Sequence, residues 1–155
     1  MFEAPPAKCD SFYLTLSSDS SRLFFPRNTI ANFTTQLIRP ICTSPRPYEV
    51  ALCEVFLPTL EIWRHRNTAS PIFLYCDITE PVLVSDTAAR LLRVLTPDLI
   101  AGHHTFSSHF YMPVERRNFQ TITISFHTKD GALYPFDDSK YPSTVVLHFR
   151  ERPTL

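Results

Sequence analysis

The sequence predicts an all-β fold of about eight antiparallel strands, arranged as a jelly roll or as another β-sandwich. Three observations support this fold class. Prolines are frequent, 14 in 155 residues, and interrupt the chain too often for long helices. Short segments that alternate apolar and polar side chains follow one another, with proline or polar residues between them. No internal repeat is visible, which argues against a propeller or a solenoid.

Length and composition predict one domain, with residues 1–10 as an N-terminal arm and residues 11–155 as the β-sandwich. The apolar fraction of 44% is sufficient for a packed core. Basic and acidic residues number 15 each, so we expect no strong nonspecific binding to nucleic acid. No apolar run is long enough to span a membrane, and Met1–Asp10 lacks the apolar segment of a secretory signal.

Two strands are expected in the first part of the chain. Ser11–Leu16 alternates Phe12, Leu14 and Leu16 with polar positions, as a half-buried strand does. Asn28–Ile38 is rich in threonine and aromatic residues, and Phe33 and Leu37 would point inward. Loops are expected around the prolines that follow, which are Pro40, Pro45 and Pro47.

Tyr48–Leu57 is the most apolar segment of the sequence. Both of its faces are apolar except at Glu54, which predicts a strand covered on both sides. A helix is the competing interpretation for this run, although its β-branched and aromatic residues favour a strand.

The middle of the chain is predicted to contain short strands and loops. Strands are expected at Ile72–Ile78 and Val82–Val84. Ala88–Thr96 is compatible with a helix, but a strand is favoured. Thr59–Ser70 and Pro97–Thr105 are expected to be loops.

Three further strands are predicted toward the C-terminus. In Phe106–Met112 the side chains of Phe106, Phe110 and Met112 are expected to face inward. Phe119–Thr128 is the clearest strand, with Ile122, Ile124 and Phe126 on one face, and Thr144–Arg150 presents Val145, Leu147 and Phe149 in the same way. Lys129–Gly131 reads as a turn because Gly131 can adopt the positive φ that a tight turn requires.

The residue inventory does not indicate an active site. Only 2 glycines are present, too few for phosphate-binding loops or a nucleophile elbow. His103, His104 and His109 form the best metal candidate, yet no carboxylate or thiol lies at ligand spacing, so exposed loop histidines are the favoured interpretation. We therefore expect no catalytic residue, no metal and no cofactor.

Two other groups of polar residues are interpreted as structural rather than catalytic. Cys76 with Asp77 and His148 could be combined into a nucleophile pair, but a buried thiol in a strand is favoured because nothing nearby lowers the thiol pKa. Asp137–Asp138 is expected in a solvated turn. The four cysteines, Cys9, Cys42, Cys53 and Cys76, are expected to be reduced.

Two features suggest contact with another molecule. The stretch Trp63–Arg66 could stack on single-stranded nucleic acid or lie in a protein interface, and a solvated loop is the simpler alternative. Glu54 in its apolar strand either blocks incorrect strand pairing or pairs with an arginine across an interface.

A series of short strings runs in order through most of the chain. These strings are Asp10–Ser18, Phe25–Thr29, Asn32–Leu37, Arg39–Ile41, Tyr48–Val55, Leu57–Pro58, Tyr111–Val114, Phe119–Ile124, Tyr134–Phe136 and Val145–Arg150. Together they resemble the penton (minor capsid) proteins of adintoviruses and polintons, which are DNA elements related to adenoviruses. The segment Thr59–Thr105 is more compact here than the central region of those relatives.

The resemblance implies a single jelly roll that assembles as a homopentamer at the fivefold vertices of an icosahedral capsid. It also implies a double-jelly-roll major capsid protein as a neighbour, a fibre or host receptor as further partners, and assembly in the host cell, in the nucleus, with final localisation in the virion. A closed ring needs two different patches on each subunit. From residue type we assign the subunit interface to Glu54, Phe56, Trp63, Arg64, Arg66, Phe110 and Tyr111.

Two other classes of function are weighed against this structural role. A β-sandwich adaptor or lectin-like binding module remains the alternative, and it would be a monomer that binds a peptide or glycan. A small cupin-like enzyme is disfavoured because the chain has few glycines and no His-x-His pair.

Overall fold

A computed structural model describes residues 11–58, 71–95, 102–136 and 141–153 of the chain. These residues form strands, turns and irregular segments, without a helix in the described ranges. The strands are β1 (Ser11–Ser17), β2 (Asn32–Cys42), β3 (Tyr48–Leu57), β4 (Ile72–Cys76), β5 (Val82–Val84), β6 (Thr87–Ala89), β7 (Leu91–Leu95), β8 (Gly102–Thr105), β9 (Met112–Pro113), β10 (Asn118–His127) and β11 (Thr144–Glu151). The fold is therefore all-β, as predicted.

Two antiparallel sheets contain most of these strands. The first sheet has the order β1-β11-β3-β8, with the short β9 also paired to β3, and the second has the order β2-β10-β4-β7. β5 and β6 form a separate hairpin. The described residues thus contain eleven strands rather than the eight expected, and the three strands outside the two linear orders each span only two or three residues.

The inward faces of both sheets form one hydrophobic core. On β10 the alternation of the sequence places Ile122, Ile124 and Phe126 in the core with no exposed surface, and β11 contributes three core residues in the same way. Because side chains on a strand alternate between the two faces, the threonines and serine between these β10 residues face outward. The predictions for β10 and β11 are confirmed.

A β-bulge shapes β3, the central strand of the first sheet. Val146 of β11 is opposite Glu54 and Leu147 is opposite Leu52, so Cys53 is an extra residue on β3. Leu52 and Val55 consequently both belong to the core. Cys53 and Glu54 lie away from the core, on the outer face, where Cys53 is also buried. The prediction of a strand rather than a helix is confirmed, and the outer face of β3 is covered at Ala51 and Cys53 but not at Phe56, which is 42% exposed.

The region around residues 102–112 differs from the sequence prediction. Gly102–Thr105, expected to be a loop, is β8, whose residues pair with Glu54–Leu57 of β3. Phe106–Met112, expected to be a strand, enters a strand only at Met112, and Phe110 is 55% exposed rather than inward-facing. Non-local pairing with β3 determines both outcomes, and local alternation does not reveal it.

Three smaller differences concern strand ends. β2 continues through Pro40 to Cys42, which is possible because β2 is an edge strand and needs no donor at that position. Of the predicted segment Ala88–Thr96, the described residues 88–95 are extended, as favoured, but are divided between β6 and β7. The turn at Lys129–Gly131 is confirmed, with φ of 91° at Gly131. The predicted arm at residues 1–10, the predicted loop at 59–70 and Asp137–Asp138 lie outside the described residues.

Candidate interaction surface

The outer face of the first sheet carries an unusual concentration of aromatic, histidine and charged side chains. We use the name outer face for seven of these side chains, which come from four adjacent strands. They are Tyr13 on β1, His148 and Arg150 on β11, Glu49, Glu54 and Phe56 on β3, and His103 on β8. Tyr13 is 64% and Phe56 42% exposed. Exposed rings beside charged groups are typical of protein interfaces.

Glu54, Phe56 and His103 form one contact group on this face. The Glu54 Oε1 atom lies 2.7 Å from Nε2 of His103, and the His103 ring stacks on Phe56 with centroids 4.2 Å apart and planes inclined by 11°. The hydroxyl of Thr105 is also 3.4 Å from Glu54 Oε1. The pairing of β3 with β8 creates this group, because it places Phe56 opposite His103 and Glu54 opposite Thr105.

A second contact group is centred on His148. The Tyr111 hydroxyl and Nδ1 of His148 form a hydrogen bond over 2.8 Å. Tyr13 packs on the other side of the His148 ring with centroids 4.5 Å apart. Burial lowers the pKa of His148, and His109 and Arg150 lower it further. Burial also raises the pKa of Tyr111. Both shifts favour the neutral partners that this hydrogen bond requires.

Arg150 connects this group to β3. Its Nε donates to Glu49 Oε2 over 2.6 Å, and its guanidinium carbon lies 3.5 Å from the centroid of the Tyr111 ring. The outer face is therefore held by specific polar contacts rather than by loose side chains, which prepares it for binding at low entropic cost.

The segment from Phe106 to Tyr111 crosses beside the outer face and is fixed by Arg93 of β7. The Arg93 guanidinium carbon lies 3.9 Å from the Phe106 ring centroid and 4.4 Å from that of Phe110, and its Nη1 donates to the Ser108 carbonyl. Burial lowers the pKa of Arg93. The arrangement presents Phe110 to solvent from a rigid support.

The thiols show no sign of activation. Cys53 Sγ lies 4.0 Å from Nδ1 of His109, but burial and the neighbouring Glu54 raise the pKa of Cys53. Burial raises the pKa of Cys76 to about 12. A nucleophilic cysteine needs a lowered pKa, so neither thiol has the property that such chemistry requires. Cys76 is in the core and His148 is on the outer face, so the pair considered from sequence is not brought together.

The histidine candidates for a metal are also separated. His103 and His104 are consecutive in β8 and therefore point to opposite faces of the sheet, while His109 lies against Cys53. Within the described ranges, no group of three or more histidine, cysteine or acidic side chains is placed to hold a metal ion. In the same ranges we find no helix that is both long and apolar enough to cross a membrane.

A cleft of about 350 Å³ opens at the end of β3 where Phe56, Pro58, Tyr141 and Pro142 meet. Its described lining consists of apolar side chains, the Gly102 backbone and the hydroxyls of Tyr141 and Thr144. These groups can contact another molecule but include no general acid or base that works near neutral pH.

The structure brings together the four described residues among those assigned to an interface from sequence. Glu54, Phe56 and Tyr111 lie on or over the outer face, and Phe110 lies on the segment beside it. The other three, Trp63, Arg64 and Arg66, lie outside the described residues. The interface role of all seven stays a prediction.

Sequence reasoning missed His103, His148 and Tyr13 as members of this surface. Tyr13 carried a usable signal, because it alternates with the buried positions of β1 and is aromatic. Phenylalanines contribute little to the exposed surface of the described residues. Of the described phenylalanines, only Phe24, Phe56 and Phe110 are exposed, and most of the others are in or against the core.

Comparison with solved structures shows a likeness in fold to a viral capsid protein. No protein-family model and no curated protein sequence matches the chain. The fold resembles that of the mavirus penton protein, known from a crystal structure, with a TM-score of 0.55 and 9% sequence identity. The likeness covers 92% of this chain and 99% of the mavirus chain, so it concerns the whole fold rather than a shared sheet.

Proposed function

We propose that this chain is a structural capsid protein of the penton type, a single jelly roll that forms homopentamers at the fivefold vertices of an icosahedral capsid. The observation that carries the proposal is the likeness to the mavirus penton protein over nearly the full length of both chains. It agrees with the string of residues that independently resembles the pentons of adintoviruses and polintons.

The strand order supports the jelly-roll part of the proposal. A jelly roll divides eight strands between two sheets through two Greek keys. Here the eight strands of the two linear orders divide four and four, and the first strand of the chain pairs with the last. Consecutive strands repeatedly change sheet, with β1 and β3 in the first sheet and β2 and β4 in the second.

The surface supports a structural rather than catalytic role. The outer face combines exposed rings with ordered polar contacts, and the two buried thiols have raised pKa values that oppose nucleophilic chemistry. Within a capsid, the neighbours would be four copies of this chain and a double-jelly-roll major capsid protein. Assembly would take place inside the host cell, in the nucleus, and the mature location would be the virion.

Electron microscopy of the purified chain tests this function. We expect ring-shaped particles whose class averages have fivefold symmetry, and we expect these rings at the vertices when the major capsid protein of the same genome is co-expressed. Isolated monomers that do not enter such capsids and bind a glycan or a peptide would contradict the proposal and favour a lectin-like or adaptor module.

A further inference from the structure

The free edge of β2 is closed to strand addition by the chain's own side chains. Asn28 Oδ1 accepts from the Thr34 amide over 2.9 Å, and Asn28 Nδ2 donates to the Thr34 carbonyl over 2.8 Å. Ser21 Oγ accepts from the Gln36 amide over 3.0 Å, and Pro40 has no amide hydrogen. A partner at this edge must therefore bind side chains rather than the backbone.

Exposed apolar residues and arginines lie together along this closed edge. Leu23 is 98% exposed, Phe24 68% and Ile38 96%. The hydrogen bond from the Gln36 amide to Ser21 places the turn that carries Leu23 and Phe24 beside β2, and Ile38 follows Gln36 by two residues on the same strand. Arg22 and Arg39 immediately flank these apolar residues. We call the five residues the edge patch.

The edge patch is cationic as well as apolar. No acidic residue occurs between Asp19 and Glu49 in the sequence. Arg22 and Arg39 form no ion pair with any carboxylate of the described chain, whereas Arg46, Arg90 and Arg150 each do. A surface of this composition fits a partner that offers apolar rings beside a carboxylate.

The outer face of the first sheet has that composition. The Glu54 side chain is 35% exposed, contacts a histidine rather than a lysine or arginine within the described residues, and lies beside the exposed ring of Phe56. Tyr13 adds a second exposed ring on β1. Glu54 and Phe56 thus complement the edge patch in charge and in apolar character, while the arginine of the outer face, Arg150, is already paired with Glu49.

Their placement on the molecule is suited to a ring. β1 and β2 are edge strands of the two sheets and contact each other, so the edge patch lies on the lateral side of the sandwich. The outer face is the adjacent broad side. When two complementary patches lie on adjacent rather than opposite sides, repeated docking turns at each step and can close into a cycle.

We infer that the edge patch of one copy docks on the outer face of the next copy, with Arg22 or Arg39 paired to Glu54. This inference rests on the proposed function, since it identifies the two patches from which the pentamer would be built. It assigns a partner to the arginines and to Glu54, and it covers Leu23, Phe24, Ile38 and Phe56.

Charge exchange tests the inference in the full-length chain. Glu54→Arg, Arg22→Glu and Arg39→Glu are each compared with wild type by sedimentation velocity over a concentration series. We expect at least a tenfold weaker association for Glu54→Arg and for at least one arginine variant. This is roughly the loss expected when one partner of a desolvated charge pair is removed, and every contact in the ring carries the change. Combining Glu54→Arg with that arginine variant should restore association to within about threefold of wild type.

Matched controls separate docking from general charge and hydrophobicity. Arg152→Glu and Glu80→Arg reverse exposed charges elsewhere on the described surface and should leave association unchanged. Leu23→Asp should weaken association, while Leu83→Asp, at a leucine that is 83% exposed on the β5-β6 hairpin, should not. Circular dichroism of every variant verifies that it is folded.

The outcomes distinguish the inference from the function on which it rests. A pentameric wild type whose Glu54, Arg22, Arg39 and Leu23 variants all remain pentameric overturns the docking surfaces and leaves the capsid role standing. Folded variants that dissociate, with no recovery in either double variant, overturn the pairing. A wild type that stays monomeric at every concentration overturns both.

Discussion

At the scale of single residues, His148 provides a test of the polar contacts on the outer face. Its pKa is lowered in the folded chain, chiefly by burial, so the unfolded chain binds a proton at a higher pH than the folded chain does. Stability contributed by neutral His148 is therefore present above its ordinary pKa of 6.5 and decreases as the pH falls below that value. The same ring nitrogen that titrates, or its partner across the ring, is engaged by the Tyr111 hydroxyl over 2.8 Å.

We expect the melting temperature to be lower at pH 5.5 than at pH 7.5, two pH values on either side of the ordinary histidine pKa of about 6.5. The decrease should be smaller in His148→Gln. Glutamine offers an acceptor to Tyr111 but does not titrate. Thermal unfolding followed by circular dichroism measures both proteins, and His127→Gln on the second sheet shows the effect of removing another histidine. An unchanged pH dependence in His148→Gln would contradict this role.

The cysteines give a second residue-scale prediction. Cys42 is exposed, whereas Cys53 and Cys76 are buried and have raised pKa values, to about 12 for Cys76. The thiolate is the reactive form of cysteine, and pH 8 lies roughly half a unit below the ordinary thiol pKa. Of the three described cysteines, iodoacetamide at pH 8 should therefore modify Cys42 first and Cys76 only after the chain unfolds. Peptide mass spectrometry of timed samples measures the order, and early modification of Cys76 would show that the core packing is wrong.

At the scale of elements, the edge of β2 depends on Asn28. Its side chain occupies both the amide and the carbonyl of Thr34, so its removal leaves one donor and one acceptor without a protein partner. Asn28→Ala should lower the free energy of unfolding by about 1–2 kcal/mol and expose the edge to strand pairing.

Urea unfolding and light scattering measure these two effects. Asn118→Ala, at an exposed position that begins β10, is the matched control and should change the stability little. Equal stability losses in the two variants would indicate that Asn28 does not have a special role at the edge.

The elements also show what could be predicted from sequence. β10 and β11 alternate apolar and polar residues along their full length, so local pattern alone places Ile122, Phe126 and Leu147 correctly in the core. β8 could not be found in this way, because Gly102–Thr105 is a strand only through its pairing with β3. Residues 106–111 alternate in sequence but are held by Arg93, which is distant along the chain.

The candidate surface was predictable in part for the same reason. Glu54 stands out in the sequence because a carboxylate interrupts an apolar strand, whereas Phe56 is assigned from residue type and is shown to be exposed only by the structure. His103, His148 and Tyr13 join them only when β8, β11 and β1 come together on one sheet, which is non-local information. Phenylalanine content gave no reliable guide to the surface, because Phe33, Phe126 and Phe149 and most of the others build the core.

At the scale of the whole molecule, the fold likeness extends further than sequence likeness. A sandwich core accepts many different apolar side chains provided that volume and alternation are kept, so two chains can share a fold at 9% identity. The same tolerance means that fold alone does not fix function, since jelly rolls also occur in lectins and cupins. Assembly is the property that separates these possibilities.

The mass of the purified chain in solution tests the central proposal most directly. Size-exclusion chromatography with multi-angle light scattering, over a range of protein and salt concentrations, should give a species about five times the 17.9 kDa of one chain. A homogeneous species of one chain mass at the highest concentration, insensitive to salt, would contradict the proposal that this protein builds fivefold vertices.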